Sequence, residues 1–523
     1  MERRWVIISI AAVILLAGTV VLSVTAGGRG FLNEMVPAEG PDPAGAGGDR
    51  AVDPLGGGWK SSTEIPGGLY HYAAAQCLED GSSSFYVVGG INDLLQRSNK
   101  LFRFDYLGGA GSWTELAPIP DPLEGGAATC WRGYLFVAGG VGVENHPTKK
   151  FWIYDIHNDQ WDSGPKLRKK VWGAGLGAWG KKIYLVGGEN LVDGPSRRVY
   201  RWKIGSRKWR RMRRRMARQA VMAGWAQRGR FLYGVGGWNK DSPAENSTST
   251  LRYNMAANKW DLGPEYTFGR ADLALATTAD RLWAMGGDAP GGGFFDSSNT
   301  FASLDLREWS LGGTWQLRTN HLLNSLQGFR GNFCTNRAAG AGRIWTVGGG
   351  YGGPTPVIDA SANYIIRKGR CARMIFNSSF ETGNGEAKGW VGTNLDPGDG
   401  RSSARSRWGG WSFRVQGMQA DKRFSQFVEY SGLAGDRIDV SGWGRNIGTR
   451  AKGGPIRLRL KVTYQDDSEE NYNLDFPRES GSWKYRYDSY KISADYKFLQ
   501  LDGQVKDQKG EVFMDGLNLL VNF

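Results

Sequence analysis

Short apolar blocks ending in a glycine pair punctuate the first two thirds of the chain. They read FYVVGG, LFVAGG, IYLVGG, LYGVGG, LWAMGG and IWTVGG, with pairs beginning at Gly89, Gly139, Gly187, Gly236, Gly286 and Gly348. Each block suits one buried strand, and the glycines allow a sharp turn where a Cβ would clash. The interval is about 50 residues, longer only before the last block, so one repeat holds four short strands. In the second half of the repeats an aromatic precedes a tryptophan by seven residues: Tyr106 and Trp113, Tyr154 and Trp161, Trp202 and Trp209, Tyr253 and Trp260. In the fifth repeat Trp309 and Trp315 compete for that place. Tryptophans so spaced fill the wedge between neighbouring sheets and are structural.

The period stops after Arg367. Alternating stretches such as Ile456 to Tyr464 and Phe498 to Val505, separated by Gly, Asp, Asn and Ser turns, then predict a β-sandwich. At the other end Arg3 and Arg4 precede an apolar run from Trp5 to Val24, an export signal that is either cleaved near Val24 and Ala26 or kept as a membrane anchor. Either outcome leaves the rest of the chain extracellular or lumenal. The expected organisation is 1–26 signal peptide or signal anchor, 27–58 flexible linker, 59–370 repeat region and 371–523 sandwich.

The spaced Gly-Gly, aromatic and Trp pattern, repeated six times over Trp59 to Arg367, resembles the kelch family of β-propellers. The resemblance implies an all-β, six-bladed propeller. Trp59 has no Gly-Gly of its own and the sixth Gly-Gly has no Trp, so the N-terminal strand is expected to complete the last blade and close the ring. The second unit resembles the jelly-roll carbohydrate-binding modules of xylanases and cellulases. The matching stretches are IFNSSFE (Ile375 to Glu381), Gly389-Trp390, SFRVQG (Ser412 to Gly417), Phe424 to Asn446, Gly481-Ser-Trp483 and VFMDGLNL (Val512 to Leu519). That resemblance implies a structural Ca2+ near Glu381 and Asp515, although Gly516 replaces the second acidic residue. Trp408, Tyr472 and Trp483 are the candidate sugar-stacking aromatics, while Trp411, Phe413, Val415 and Trp443 read as core.

Composition narrows the chemistry. The 78 Gly and 22 Trp suit a turn-rich β protein, and only 4 His and 4 Cys leave little for a multi-His metal centre. The net charge of +15 is concentrated: Arg197 to Arg218 holds twelve Lys and Arg and no acid. Within it Arg210, Arg211, Arg213, Arg214, Arg215 and Arg218 are candidate ligands for an anionic glycan, with a solvated loop as the alternative. They should share a face with the loops that follow each Gly-Gly. Cys77 and Cys334 lie on repeats that meet at the ring seam and are the expected disulfide, with buried free thiols as the alternative. His71 reads as a structural residue of the first inner strand. Asn246 and Asn377 stand in glycan-acceptor triplets.

Two functions follow. One is an extracellular or membrane-anchored glycan-binding or adhesion protein whose partners are polysaccharide or glycoprotein glycans, or a protein on the loop face, with no nucleic acid. The other is a secreted sugar oxidase or a mutarotase or epimerase with an appended binding module. No catalytic constellation is legible, and the four His do not suit the copper site of a sugar oxidase.

Overall fold

The computed structural model describes residues 56–77, 84–106, 111–190, 192, 194–238, 246–288, 297–319, 321–323, 326, 328, 333–335, 342–350, 360–366, 371, 374–375, 380, 387–407, 410–417, 421–450 and 452–522. The N-terminal apolar run therefore lies outside the described residues. Among those described, no helix is long and apolar enough to cross a membrane.

Six antiparallel meanders follow one another, each starting with an inner strand. The inner strands are Ala73–Ala75, Ala127–Trp131, Trp172–Trp179, Gly224–Arg228, Ala274–Thr277 and Cys334–Thr335. Sheets one to five run outward in chain order. The sixth is finished by the N-terminal strand Gly56–Ser62, which pairs with Ser361–Ile366 and places Trp59 opposite Tyr364. Trp59 packs edge-on against Phe301 with centroids 5.1 Å apart.

The wedge tryptophans show how neighbouring sheets are joined. Indole N–H groups of Trp113, Trp161, Trp209 and Trp315 donate to the carbonyls of Thr63, Ala117, Pro165 and Pro264, each just beyond the outer strand of the preceding sheet. Trp315 is thus the fifth wedge. Trp309 instead packs on Tyr233 and lies under the Arg252 guanidinium. Trp113 reaching Thr63 makes the N-terminal strand the neighbour of sheet one. The Gly-Gly turns are tight for a concrete reason: a Cβ on Gly89 would stand 2.6 Å from the Leu123 carbonyl oxygen, and Gly89 has φ +67.

At the Gly-Gly end the inner strands are linked by a closed circuit of backbone hydrogen bonds. His71 donates to Gly328, Gly328 to Asp272, Asp272 to Met222, Met222 to Gly173, Gly173 to Gly125, and Gly125 back to His71. The five bonds after the first are 2.7 to 3.1 Å long. All six residues have left-handed φ between 53 and 66, which turns one N–H and one C=O toward the two neighbours. Below the circuit lies an axial cavity of about 140 Å³ lined by residues such as Ala74, Ala128 and Ala174 and reaching Cys371 and Leu520.

The C-terminal region forms two five-stranded antiparallel sheets. One runs Val391–Thr393, Asp421–Val428, Tyr496–Lys506, Ile456–Tyr464, Glu469–Asp475; the other Gly400–Ser402, Ser412–Gln416, Glu511–Asn522, Arg437–Ile447, Lys484–Lys491. Inward residues of both, including Phe413, Phe424, Val440, Leu458 and Leu501, share one core. Residues 51–523 form a single compact unit. The second sheet meets the propeller face opposite the Gly-Gly turns. Arg132 lies over Trp131, Trp443 and Tyr485, and Arg307 pairs with Asp436 at 3.0 Å. The wholly buried Arg228 donates to the carbonyls of Ala279 and Val521.

Disulfide pairing differs from the sequence expectation. Cys77 bonds Cys130 on the next sheet, and Cys334 bonds Cys371 at the entry to the C-terminal region, with Cα separations of 5.2 and 5.5 Å. The expected Cys77 to Cys334 bridge is absent because the seam is closed differently. The Gln76 amide donates to the Cys334 carbonyl and accepts from its N–H. Gln227 makes the same two bonds with Ala178.

Candidate functional site

The circuit of backbone bonds makes the floor of a mouth on the Gly-Gly face. Three members, Gly125, Gly173 and Gly328, have no side chain, so the floor belongs to His71, Asp272 and Met222. His71 Nε2 lies 3.3 Å from Asp272 Oδ2, across Gly328, whose added Cβ would stand 2.7 Å from the His71 ring. Side chains just before the floor residues form the wall. Tyr70 packs at a tilt against His71 with ring centroids 4.6 Å apart, and its hydroxyl pKa is pushed up to about 12 by burial first, then by Glu124 and Asp272, against the opposing pull of Arg97. Arg97 Nε donates to Glu124 at 2.8 Å. Trp172, the first residue of the third inner strand, meets Trp238, which follows the Gly-Gly pair of the fourth sheet, at 5.4 Å. Burial lowers the Arg270 pKa first, opposed by the nearby Tyr266 and Asp288.

Acids, a histidine, a phenol and two indoles thus converge on one mouth. Such a mixture presents flat apolar faces and fixed donors and acceptors, which is what a pyranose requires. Sequence reasoning set His71 aside and missed Asp272, since they are 201 residues apart. A usable signal exists: Gly125, Gly173, Met222 and Asp272 each stand fourteen residues before a Gly-Gly pair.

The arginine-rich stretch lies on the same face. Arg210–Arg211 is the short outer strand of the third sheet, paired with Tyr200 and Arg201. After it the chain is pinned by methionines: Met212 N–H donates to Val199, Met216 N–H to Arg197, and Met216 is fully buried. Arg213, Arg214, Arg215 and Arg218 are exposed between and beyond these anchors. Only Arg215 of the six candidate arginines lines the neighbouring cleft of about 370 Å³. Its other cations are Arg168, Lys169, Lys170, Arg197 and Arg198, from two other loops.

The C-terminal candidates are dispersed. Tyr472 points inward opposite Leu460, packs against the core and donates to Glu470 at 2.6 Å; it is no free stacking platform. Trp483 is half-buried beside the edge strand Lys484–Lys491, and Trp408 lies outside the described residues. Phe413 and Val415 are core, whereas Trp411 lies beneath Arg401 at 3.5 Å and Trp443 faces the propeller. Asp515 is buried and accepts N–H groups of Arg407 and Gly516, while Glu381 lies outside the described residues. Among the described residues no group of three or more His, Cys, Asp or Glu converges, and the expected Ca2+ position at Glu381 lies outside them. Asn246 donates its amide to the Asp288 carbonyl, and Asn377 lies outside the described residues.

Residues 123–168 match the Kelch motif model. The repeat region thus carries a kelch repeat and has the architecture of a β-propeller. N-acetylneuraminate epimerase of Escherichia coli (strain K12) is 30% identical over 158 residues, which is 27% of this chain and 42% of the epimerase. Kelch-like protein 38 of Rattus norvegicus is 23% identical over 236 residues, 44% of this chain and 38% of that protein. A solved structure titled "Structure of YjhT" covers 57% of this chain and 96% of its own at 14% identity and a TM-score of 0.46. The match to the epimerase thus spans less than half of that enzyme.

Proposed function

We propose that this is an exported, glycan-binding six-bladed kelch propeller that holds a sugar in the mouth of its Gly-Gly face. The C-terminal jelly-roll module is a rigid floor for the propeller in this reading. Residues 1–26 export the chain or anchor it, with the propeller outside or in a lumen. One observation carries the proposal: the His71 and Asp272 pair, set on a six-membered backbone floor and walled by Tyr70, the Arg97 and Glu124 pair, and the Trp172 and Trp238 indoles. Hydroxyls of a sugar would bond the acids and the imidazole, while its apolar face covers an indole. Saturation-transfer NMR with neutral and acidic monosaccharides on the intact chain tests this. Contact with the sugar should be lost in Asp272→Asn and in Trp172→Ala. Retained transfer in both variants would exclude the mouth.

A second reading, mutarotation, is favoured by the similarity to N-acetylneuraminate epimerase. His71 and Asp272 would serve as an acid and base: one takes the anomeric hydroxyl proton while the other protonates the ring oxygen. The ring C–O bond then breaks to the open-chain carbonyl and re-forms on either face. Anomer exchange of N-acetylneuraminate followed by proton NMR should be accelerated by the protein and fall to the buffer rate in Asp272→Asn. Binding without acceleration leaves the binding reading in place.

A further inference from the structure

We propose that the cleft around the third sheet is a separate binding site for a linear acidic polysaccharide bearing carboxylate or sulfate groups. This goes beyond the monosaccharide mouth, since it uses other residues and another ligand class. Three loops build it: Arg168 to Lys170 leaving the second sheet, Arg197 and Arg198 entering the strand Val199–Lys203, and Arg215 in the methionine-pinned segment. Glu189 is the one carboxylate among the lining residues, against six cations. Arg168, Lys170, Arg198 and Arg215 form no ion pair with any described residue.

The arrangement is built and not merely solvated. Arg197 donates through Nε to the Met216 carbonyl at 2.7 Å while Met216 N–H returns a bond to Arg197. That exchange locks the arginine-rich segment against the entry loop and holds Arg215 over the cleft. Keeping like charges together costs electrostatic free energy, which an anionic ligand would offset. Arginine forks suit planar carboxylate and tetrahedral sulfate alike. The aromatics lining the cleft, Tyr200 and Trp209, are buried, so no exposed ring is offered for stacking a nucleobase.

The test compares retention of the intact chain on polygalacturonate and on dextran sulfate, which separates carboxylate from sulfate recognition. Replacing Arg168, Lys170, Arg198 and Arg215 together by Gln should weaken binding at least about tenfold at low salt and flatten its salt dependence. The same number of Gln replacements at Arg210, Arg211, Arg213 and Arg214, outside the cleft, should cost less than about threefold. In a second readout the bound polymer should shield Lys170 from acetylation and leave exposed Lys208 reactive. Equal weakening by both sets, equal protection of both lysines, or no retention on either polymer would overturn the proposal. So would equally tight binding of single-stranded DNA or of phosphatidylserine vesicles at the same residues. Asp272→Asn should leave this retention unchanged, so failure here is distinguishable from failure at the mouth.

Discussion

Removing the Cys77 and Cys130 bridge tests the connection between the first two inner strands. The bonded residues are 53 apart in sequence, and the Cys334 and Cys371 pair 37 apart. On the chain-entropy account, closing loops of these lengths stabilises the native state by about 4 kcal/mol each. A melting entropy of about 2.1 cal/mol/K per residue turns the loss of one bridge into a shift of about 4 °C if residues 56–522 melt as one unit. The shift becomes about 6 °C if the propeller melts alone. Calorimetry of Cys77→Ala with Cys130→Ala reads both the loss and the size of the cooperative unit. Peptide mapping without reductant should recover Cys77 linked to Cys130 and Cys334 linked to Cys371. A Cys77 to Cys334 peptide, or an unchanged midpoint in the double variant, would refute the reasoning.

Trp315→Ala should cost about 3 to 5 kcal/mol in denaturant melts, as large buried truncations do, and should exceed Trp315→Phe, which keeps one aromatic ring but loses the indole N–H shared by the Pro264 carbonyl and the Thr250 hydroxyl. Lys422, 1% exposed and bonded to Asp396 at 2.6 Å and Asp399 at 2.8 Å, should cost about 3 to 5 kcal/mol as Lys422→Met because Asp399 stays buried without its cation; a change below 1 kcal/mol, of the order of an exposed pair, would refute that. Arg228→Met should lower the midpoint of the whole chain in one transition, because its guanidinium joins Ala279 of the propeller to Val521 of the C-terminal strand; two resolved transitions with the propeller unchanged would count against that coupling.

Much of the fold was legible because its constraints recur locally. Left-handed Gly-Gly turns and wedge tryptophans obey one short rule in repeat after repeat, and Trp59 without an owner pointed to the strand that pairs with Ser361–Ile366. The alternating stretch Ile456 to Tyr464 shows the buried and half-buried alternation its pattern implies. What was not legible depends on residues far apart in the chain. His71 and Asp272 meet only because six strand entries close into a circuit, and the cleft loop Arg168 to Lys170 lies outside the arginine-rich stretch that holds Arg197, Arg198 and Arg215. The disulfides followed the same logic: Gln76 occupies the seam where a bridge between Cys77 and Cys334 was expected.

The placement of the C-terminal sheets bears directly on where ligands can act. A propeller offers two faces and an axial passage, yet here one face is covered. Leu520 reaches the axial cavity, Arg228 is fully buried against Val521, and the Arg132 guanidinium is held among Trp131, Trp443 and Tyr485. Removing that contact would strand Arg228, whose burial already lowers its pKa against the attraction of nearby Tyr233, Tyr430, Asp280 and Asp439. A guanidinium desolvated to this degree is tolerated only with its carbonyl partners in place, so the two regions are expected to remain docked as the protein works. In the readings proposed above, ligand entry is thereby directed to the Gly-Gly face, where Trp172 of the mouth directly follows Val171 of the basic cleft.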